Sequence, residues 1–402
     1  MTRTWTVLLV VAIALACAQT GDGARDVAAV STPALVDEAP TDWLPLELHR
    51  SVYPFVSGTV NGIATAMLID SGAERTAIDA SFARELGLES GGVVRARGIS
   101  GATDAWIAHG VEIEIGALRI EPEFVVVIDL APVVERLGRP LPVVLGRELF
   151  ARAIVELDYP RERVALHDPE RAPSADAARS ITLFEVSGGK YAVDARIEGR
   201  PPVRVQVDTG SGDTLTIFHD YASAERLLAG RVRVSTRLAG GVGGSAVENE
   251  ATLAELSLGE WSLRDVPALF EAEVRNAKAA RACSGRLGGR VLHRFRVTID
   301  APHERMWLEP AERWSRPFER NRTGLQVVFR DEALEVVHVA AGSAAERSGW
   351  LVGERITSFV GRDVTSDYWS AWTKLLDGAP GTVVTLRDGS DNERKLTLAD
   401  HY

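Results

Sequence analysis

Cysteine is nearly absent, with only Cys17 and Cys283 in 402 residues. That excludes a disulfide framework and a cysteine-built metal cluster, and it leaves Cys283 as a small hydrophobe rather than a nucleophile. The sequence also lacks the Gly-x-Ser-x-Gly turn of a serine hydrolase and the His-Glu-x-x-His pair of a zinc protease, so neither chemistry has its residues here. No metal or cofactor is expected. No clustered basic face is present either: 45 Lys and Arg against 56 Asp and Glu give a net charge of −11, which weighs against nucleic acid or an anionic membrane surface as the partner. The apolar run from Val7 to Leu15 falls well short of the roughly 20 residues a membrane-crossing helix requires.

That run does fit another purpose. It follows Arg3 and ends in small residues, the layout of a secretory signal, so residues 1–17 are read as a signal peptide. Ala14-Leu15-Ala16-Cys17 offers a small-x-small cleavage site and equally resembles a bacterial lipobox that would acylate Cys17. Both routes stay open, and both place the protein outside the cytoplasm, in the periplasm or on a lipid anchor at Cys17. Residues 18–44 are rich in Ala, Asp, Gly and Pro with no apolar period, as expected of a flexible tether. The rest of the chain, at 46% hydrophobic and 25% charged residues overall, has room for two or three cores.

An internal repeat organises most of it. Phe55 to Gly62 reads as a strand ending in an Asn-Gly hairpin turn, and Ala66 to Ile69 as a buried strand running into Asp70-Ser71-Gly72-Ala73. Tyr191 to Gly199 and Val203 to Val207 repeat the pattern and run into Asp208-Thr209-Gly210-Ser211. Each copy later carries a glycine, Gly146 after Leu145 and Gly288 after Leu287, set 76 and 80 residues beyond its Asp. A further 12 residues lead to Asp158 and Asp300 in turn. Between these anchors lie two Gly-rich stretches, Gly98-Ile99-Ser100-Gly101 and Gly240-Gly241-Val242-Gly243-Gly244, each followed by an alternating strand. The second does not open a helix behind a buried strand, so it is no dinucleotide fingerprint. Short alternating strands dominate residues 45–312, with brief helical patterns at Phe82–Leu86 and Glu148–Ala153.

One Asp-Ser-Gly is usually just a turn. Two, duplicated behind apolar strands, resemble the retropepsin and pepsin superfamily, in which each lobe supplies Asp-(Ser/Thr)-Gly and a later apolar-apolar-Gly. The resemblance implies a mainly β fold of two tandem retropepsin-like barrel lobes related by a pseudo-two-fold, residues 45–172 and 178–312. It implies Asp70 and Asp208 as a catalytic pair, supported by Ser71, Gly72, Thr209, Gly210, Ser211, Gly146 and Gly288. It also makes Gly98, Ser100, Gly101, Gly241, Gly243 and Gly244 the flaps that close over a protein or peptide substrate. The second lobe departs from the pattern, with Gly285-Arg286 where the first has Val143-Val144. Position four differs too, Ala73 against Ser211, and a hydroxyl bonded to Asp208 would make it the more readily ionised of the two. Trp106 is a candidate cleft residue or, equally, a rim aromatic.

From Gly324 the pattern changes. Gly324 to Phe329, Leu334 to Val339, Gly342-Ser343-Ala344-Ala345 and Gly349 to Ile356 resemble a PDZ domain, an α+β module over residues 320–402. Such a domain takes a C-terminal peptide by strand addition, which would make Gly324 and Leu325 the carboxylate-binding loop. The whole reads as a monomeric aspartic endopeptidase with a peptide-docking module. The competing expectation is a catalytically inactive, exported peptide-binding or scaffold protein.

Overall fold

The computed structural model describes residues 8–9, 14–16, 43–98, 101–171, 179–274, 282–312 and 314–402. Cys17 and most of the expected signal and tether lie outside the described residues. Leu44, assigned to the tether from composition, already belongs to a strand and pairs with Val164.

The fold is mainly β and repeats itself. In the first lobe the strands Tyr53–Val60 and Ile63–Ile69 form a hairpin closed by Asn61 and Gly62, whose φ values of +47° and +79° are the two positive angles of a tight hairpin turn. Met67, Leu68 and Ile69 are fully buried, so the strand enters the core just before it delivers Asp70 to the loop. Ala77–Asp79 follows and runs into the helix Ala80–Glu85, where the Asp79 carboxylate caps by accepting from the Ser81 N–H. Val143–Leu145 then threads between them, parallel to Ile63–Ile69 and antiparallel to Ala77–Asp79.

The second lobe builds the same unit from Lys190–Ile197, Val203–Val207 and Leu215–Ile217, with Gly285–Leu287 threaded parallel to the second and antiparallel to the third. The strands Ile154–Asp158 and Phe295–Asp300, which end each repeat, pair antiparallel with one another, Val155 opposite Ile299 and Leu157 opposite Val297. One hydrophobic core runs through both lobes, from Val56 and Ile113 in the first to Leu256 and Phe295 in the second. The lobes are therefore welded at their base, which fixes the loops above.

Each lobe also raises a long hairpin. Val93–Arg97 pairs with Ala102–Ala108, and Ser235–Gly241 pairs with Gly244–Leu258. Two short backbone segments lie along them: Leu8–Leu9 parallel to Ala239–Gly240, and Ala14–Ala16 antiparallel to Arg95–Arg97.

The C-terminal module has its own core, including Leu334, Trp350, Ile356, Phe359, Trp372 and Leu386. Its sheet runs in the order Leu325–Arg330, Ala333–Val339, Arg355–Phe359, Val383–Asp388, Glu393–Thr397, with helices Ala344–Arg347 and Trp369–Leu376. The edge strand Leu325–Arg330 faces the second lobe. There the Gln326 side chain mimics a backbone ladder: its Oε1 accepts from the Leu238 N–H at 2.7 Å and its Nε2 donates to the Leu238 carbonyl at 3.1 Å.

Candidate active site

The two duplicated loops meet at the lobe junction. Asp70 and Asp208 are both fully buried, and each carboxyl acts on the ionisation of the other. Each backbone N–H is pinned from below, Asp70 to the Leu145 carbonyl and Asp208 to the Leu287 carbonyl, both at 3.0 Å. Gly146 and Gly288, the residues that follow, pass so close beneath the loops that a Cβ would come within 2.5 Å of Arg75 and 2.3 Å of Asp213. The glycines inside the motif have the same steric reason. A Cβ on Gly72 would sit 2.5 Å from the Asp208 carboxyl carbon, and one on Gly210 would sit 2.3 Å from that of Asp70.

Ser71 and Thr209 cross-link the loops with four bonds. Ser71 N–H donates to Thr209 Oγ1 at 2.9 Å and Thr209 N–H donates to Ser71 Oγ at 3.1 Å. The two hydroxyls then donate onward, Ser71 to the Val207 carbonyl and Thr209 to the Ile69 carbonyl, both at 2.8 Å. Both hydroxyls and both backbone N–H groups of the pair are used, so the loops cannot slide without stranding buried polar groups.

Burial pushes the Asp70 carboxyl well above the usual carboxylate range, and the Asp208 charge beside it pushes the same way. Burial also raises Asp208, to about 6, but the Arg286 guanidinium draws it back down. Two carboxyls so placed share a proton rather than both ionising. The inequality runs in the direction read from the sequence but has a different source. Ser211 Oγ accepts from the Asp213 N–H at 3.3 Å and is not what favours the Asp208 charge; a buried cation is.

The Gly-rich tips meet each other. A Cβ on Gly98 would fall 1.7 Å from the Val242 carbonyl oxygen and one on Gly101 would fall 2.5 Å from that of Gly243. Gly241 and Gly244 close the second hairpin as a pair, and Ser100 lies outside the described residues. Trp106 is half-buried and packs on the core of its own lobe between Val93 and Val127.

The C-terminal loop is already engaged. Gly324 N–H donates to Asn321 Oδ1 at 3.0 Å and Leu325 N–H donates to Thr323 Oγ1 at 3.0 Å, while Asn321 Nδ2 donates to the Leu325 carbonyl at 2.9 Å. A peptide carboxylate would have to displace these bonds. A cavity does adjoin the loop, lined by Leu325, Val327, Trp369 and Leu376 on one side and by Thr236 and Arg237 of the second lobe on the other.

The described geometry agrees with one family comparison. The aspartyl protease family model matches residues 56–149 and 193–279, one stretch in each lobe and each containing its Asp-(Ser/Thr)-Gly loop. Two regions of the chain are thus similar to aspartyl proteases, in tandem. No curated protein matches the chain.

Proposed function

We propose that the protein is an exported, monomeric aspartic endopeptidase whose catalytic residues are Asp70 and Asp208. The observation that carries this reading is the buried, proton-sharing carboxyl pair, clamped by Ser71 and Thr209 at the meeting point of two lobes that each match the aspartyl protease family. The ionised carboxylate takes a proton from a water, whose oxygen bonds to the peptide carbonyl carbon. The carbonyl π pair moves to its oxygen, which takes the proton of the other carboxyl. In the tetrahedral diol that results, the C–N bond breaks as a proton passes to the amine nitrogen. One diol hydroxyl returns its proton to the pair. The sum is one water and one amide converted to one acid and one amine.

The hairpins support an extended peptide as substrate. Their tips meet, so a closed pair excludes bulk water from the reacting bond. The pairing of short backbone segments with Ala239–Gly240 and Arg95–Arg97 supports the view that the outer hairpin edges take an added strand. The C-terminal module is read as PDZ-like, with its Leu325–Arg330 edge and the helix Trp369–Leu376 framing the groove for docking a peptide.

Incubating the purified chain with an unfolded protein from about pH 3.5 to 7, with and without a hydroxyl-bearing mimic of the tetrahedral diol, tests the reading. Discrete fragments that the mimic suppresses support it. An intact substrate throughout that range favours the peptide-binding alternative.

A further inference from the structure

The duplicated strands differ at one buried cross-section. In the first lobe, Val144 lies between Leu68 and Ala77 in the register of its sheet, and all three are apolar and fully buried. In the second lobe the corresponding residue, Arg286, lies between Gln206 and Thr216, and all three are polar and just as deep, at 5%, 4% and 3% exposure. Gln206 is two residues before Asp208, so its side chain shares that face of the strand. Arg286 Nε lies 3.4 Å from Asp208 Oδ2. Among the described residues neither atom has any hydrogen-bond partner, nor do Gln206 Nε2 and Thr216 Oγ1.

An Arg is expensive to bury, and packing alone does not require it, because the first lobe fills the same cross-section with Val, Leu and Ala. A guanidinium cannot lose its proton, so a permanent positive charge sits beside one member of the pair. The other titratable groups whose charges reach Asp208 are Asp70, Lys190, Asp213 and Tyr159. Lys190 Nζ is committed to Glu74 Oε1 at 3.1 Å, Asp213 to Arg237 at 2.6 Å. Arg286 is the cation in direct contact.

We propose that Arg286 is a positioning residue that holds Asp208 as the ionised member of the pair, so that Asp208 is the base toward water and Asp70 delivers the proton to the substrate oxygen. The proposal rests on the hydrolytic reading for its chemical meaning, but the charge asymmetry itself has a test that needs no turnover. The two loops also differ at Ala73 against Ser211 and in the Gly72 N–H that donates to Asp70 Oδ1 at 2.8 Å, but it is Arg286 that sets a cation against one carboxyl of the pair.

The experiment follows the carboxyl 13C resonances of Asp70 and Asp208 against pH, assigned with Asp70→Asn and Asp208→Asn, in the full chain and in Arg286→Met. Losing the cation raises the first titration step of the pair by about 1 to 3 pH units. The acid limb of kcat/KM moves up with it, so activity falls about tenfold or more at a pH on the old limb while KM changes little. Arg286→Lys keeps the wild-type titration. If Arg286→Met does not fold, the triple variant Gln206→Leu, Thr216→Ala, Arg286→Val replaces the polar trio with the one the first lobe already packs, and its first titration step must rise likewise. A folded variant without the cation whose pair titrates as in the wild type overturns the proposal, whatever its activity. A shifted titration in a chain that cleaves nothing supports the charge assignment and removes the hydrolytic reading instead.

Discussion

Ser71 and Thr209, 138 residues apart in the chain, hold each other through reciprocal backbone-to-hydroxyl bonds of 2.9 and 3.1 Å. The carboxyl pair depends on that clamp, because each Asp is bonded covalently to one of its two residues. Thr209→Val removes the acceptor of the Ser71 N–H and the donor to the Ile69 carbonyl in one step. The expected cost is about 1 to 3 kcal/mol of unfolding free energy together with a kcat loss of tenfold or more. Thr209→Ser keeps both bonds and both properties. Urea unfolding and steady-state kinetics of the two variants check this, and an unchanged kcat in a folded Thr209→Val would contradict it.

The carboxyl pair itself is a source of instability at neutral pH. In the unfolded chain an Asp ionises near pH 4, at about 3.9. In the folded chain Asp208 is held up to about 6 and Asp70 well above the usual carboxylate range, both through burial first. The folded state therefore binds more protons than the unfolded state above pH 4, and stability falls as the pH rises through the folded values. Asp70→Asn removes this penalty and leaves Asp208 beside Arg286. It is expected to be more stable than the wild type at pH 7, by on the order of 1 to 3 kcal/mol, with the difference vanishing toward about pH 3.5. Urea titrations at the two pH values measure it.

Histidines pull the other way in acid. Burial lowers His49 to about 4, His293 to about 3 and His401 to about 4. Each binds its proton more readily in the unfolded chain, near pH 6.5, so its contribution is intact above that value and is lost as the pH falls toward 4. His49 Nε2 lies 2.7 Å from the Leu137 carbonyl, a bond the amide of Gln can keep. His49→Gln is expected to flatten the decline of Tm between about pH 6.5 and 4 without lowering Tm at pH 7. Scanning calorimetry across that range shows whether the slope changes.

The C-terminal module grips a strand of the second lobe's long hairpin. Besides Gln326 on Leu238, Ser235 Oγ donates to the Ala341 carbonyl at 2.6 Å and the Ala341 N–H donates to Thr236 Oγ1 at 3.1 Å. Gln326→Leu strands both backbone groups of Leu238. Amide exchange within Ser235–Gly241 is expected to quicken by about tenfold, the equivalent of roughly one lost bond, while the helix Trp369–Leu376 exchanges as before. Unchanged exchange in Ser235–Gly241 would mean that the contact does not restrain the hairpin.

What could be read from the sequence was what the chain writes contiguously. Asp-(Ser/Thr)-Gly behind an apolar strand, the Asn61-Gly62 turn and the later glycines are short local strings, and the duplication multiplies their weight. Arg286 was visible only as a departure from an apolar pair. Its neighbours Gln206 and Thr216 lie 80 and 70 residues away in the chain and meet it only through strand register, which local pattern does not supply. Ser211 illustrates the same limit: a hydroxyl near an Asp in sequence turned instead to the Asp213 N–H. Gln326 is a polar residue between the apolar Leu325 and Val327, and its partner, Leu238, lies 88 residues away in the second lobe. His293 is half-buried because the helix Gly289–Leu292 ends against the core, a contact that no local string announces.

One site built from two lobes needs the carboxyl of each, Asp70 from the first and Asp208 from the second. The direct measurement is cleavage of an unfolded protein by Asp70→Asn and by Asp208→Asn, each shown by circular dichroism to be folded. Both are expected to lose activity by a factor of at least about 1,000, since neither amide can act as base or acid. Wild-type cleavage persisting in either folded variant would contradict the shared two-carboxyl site.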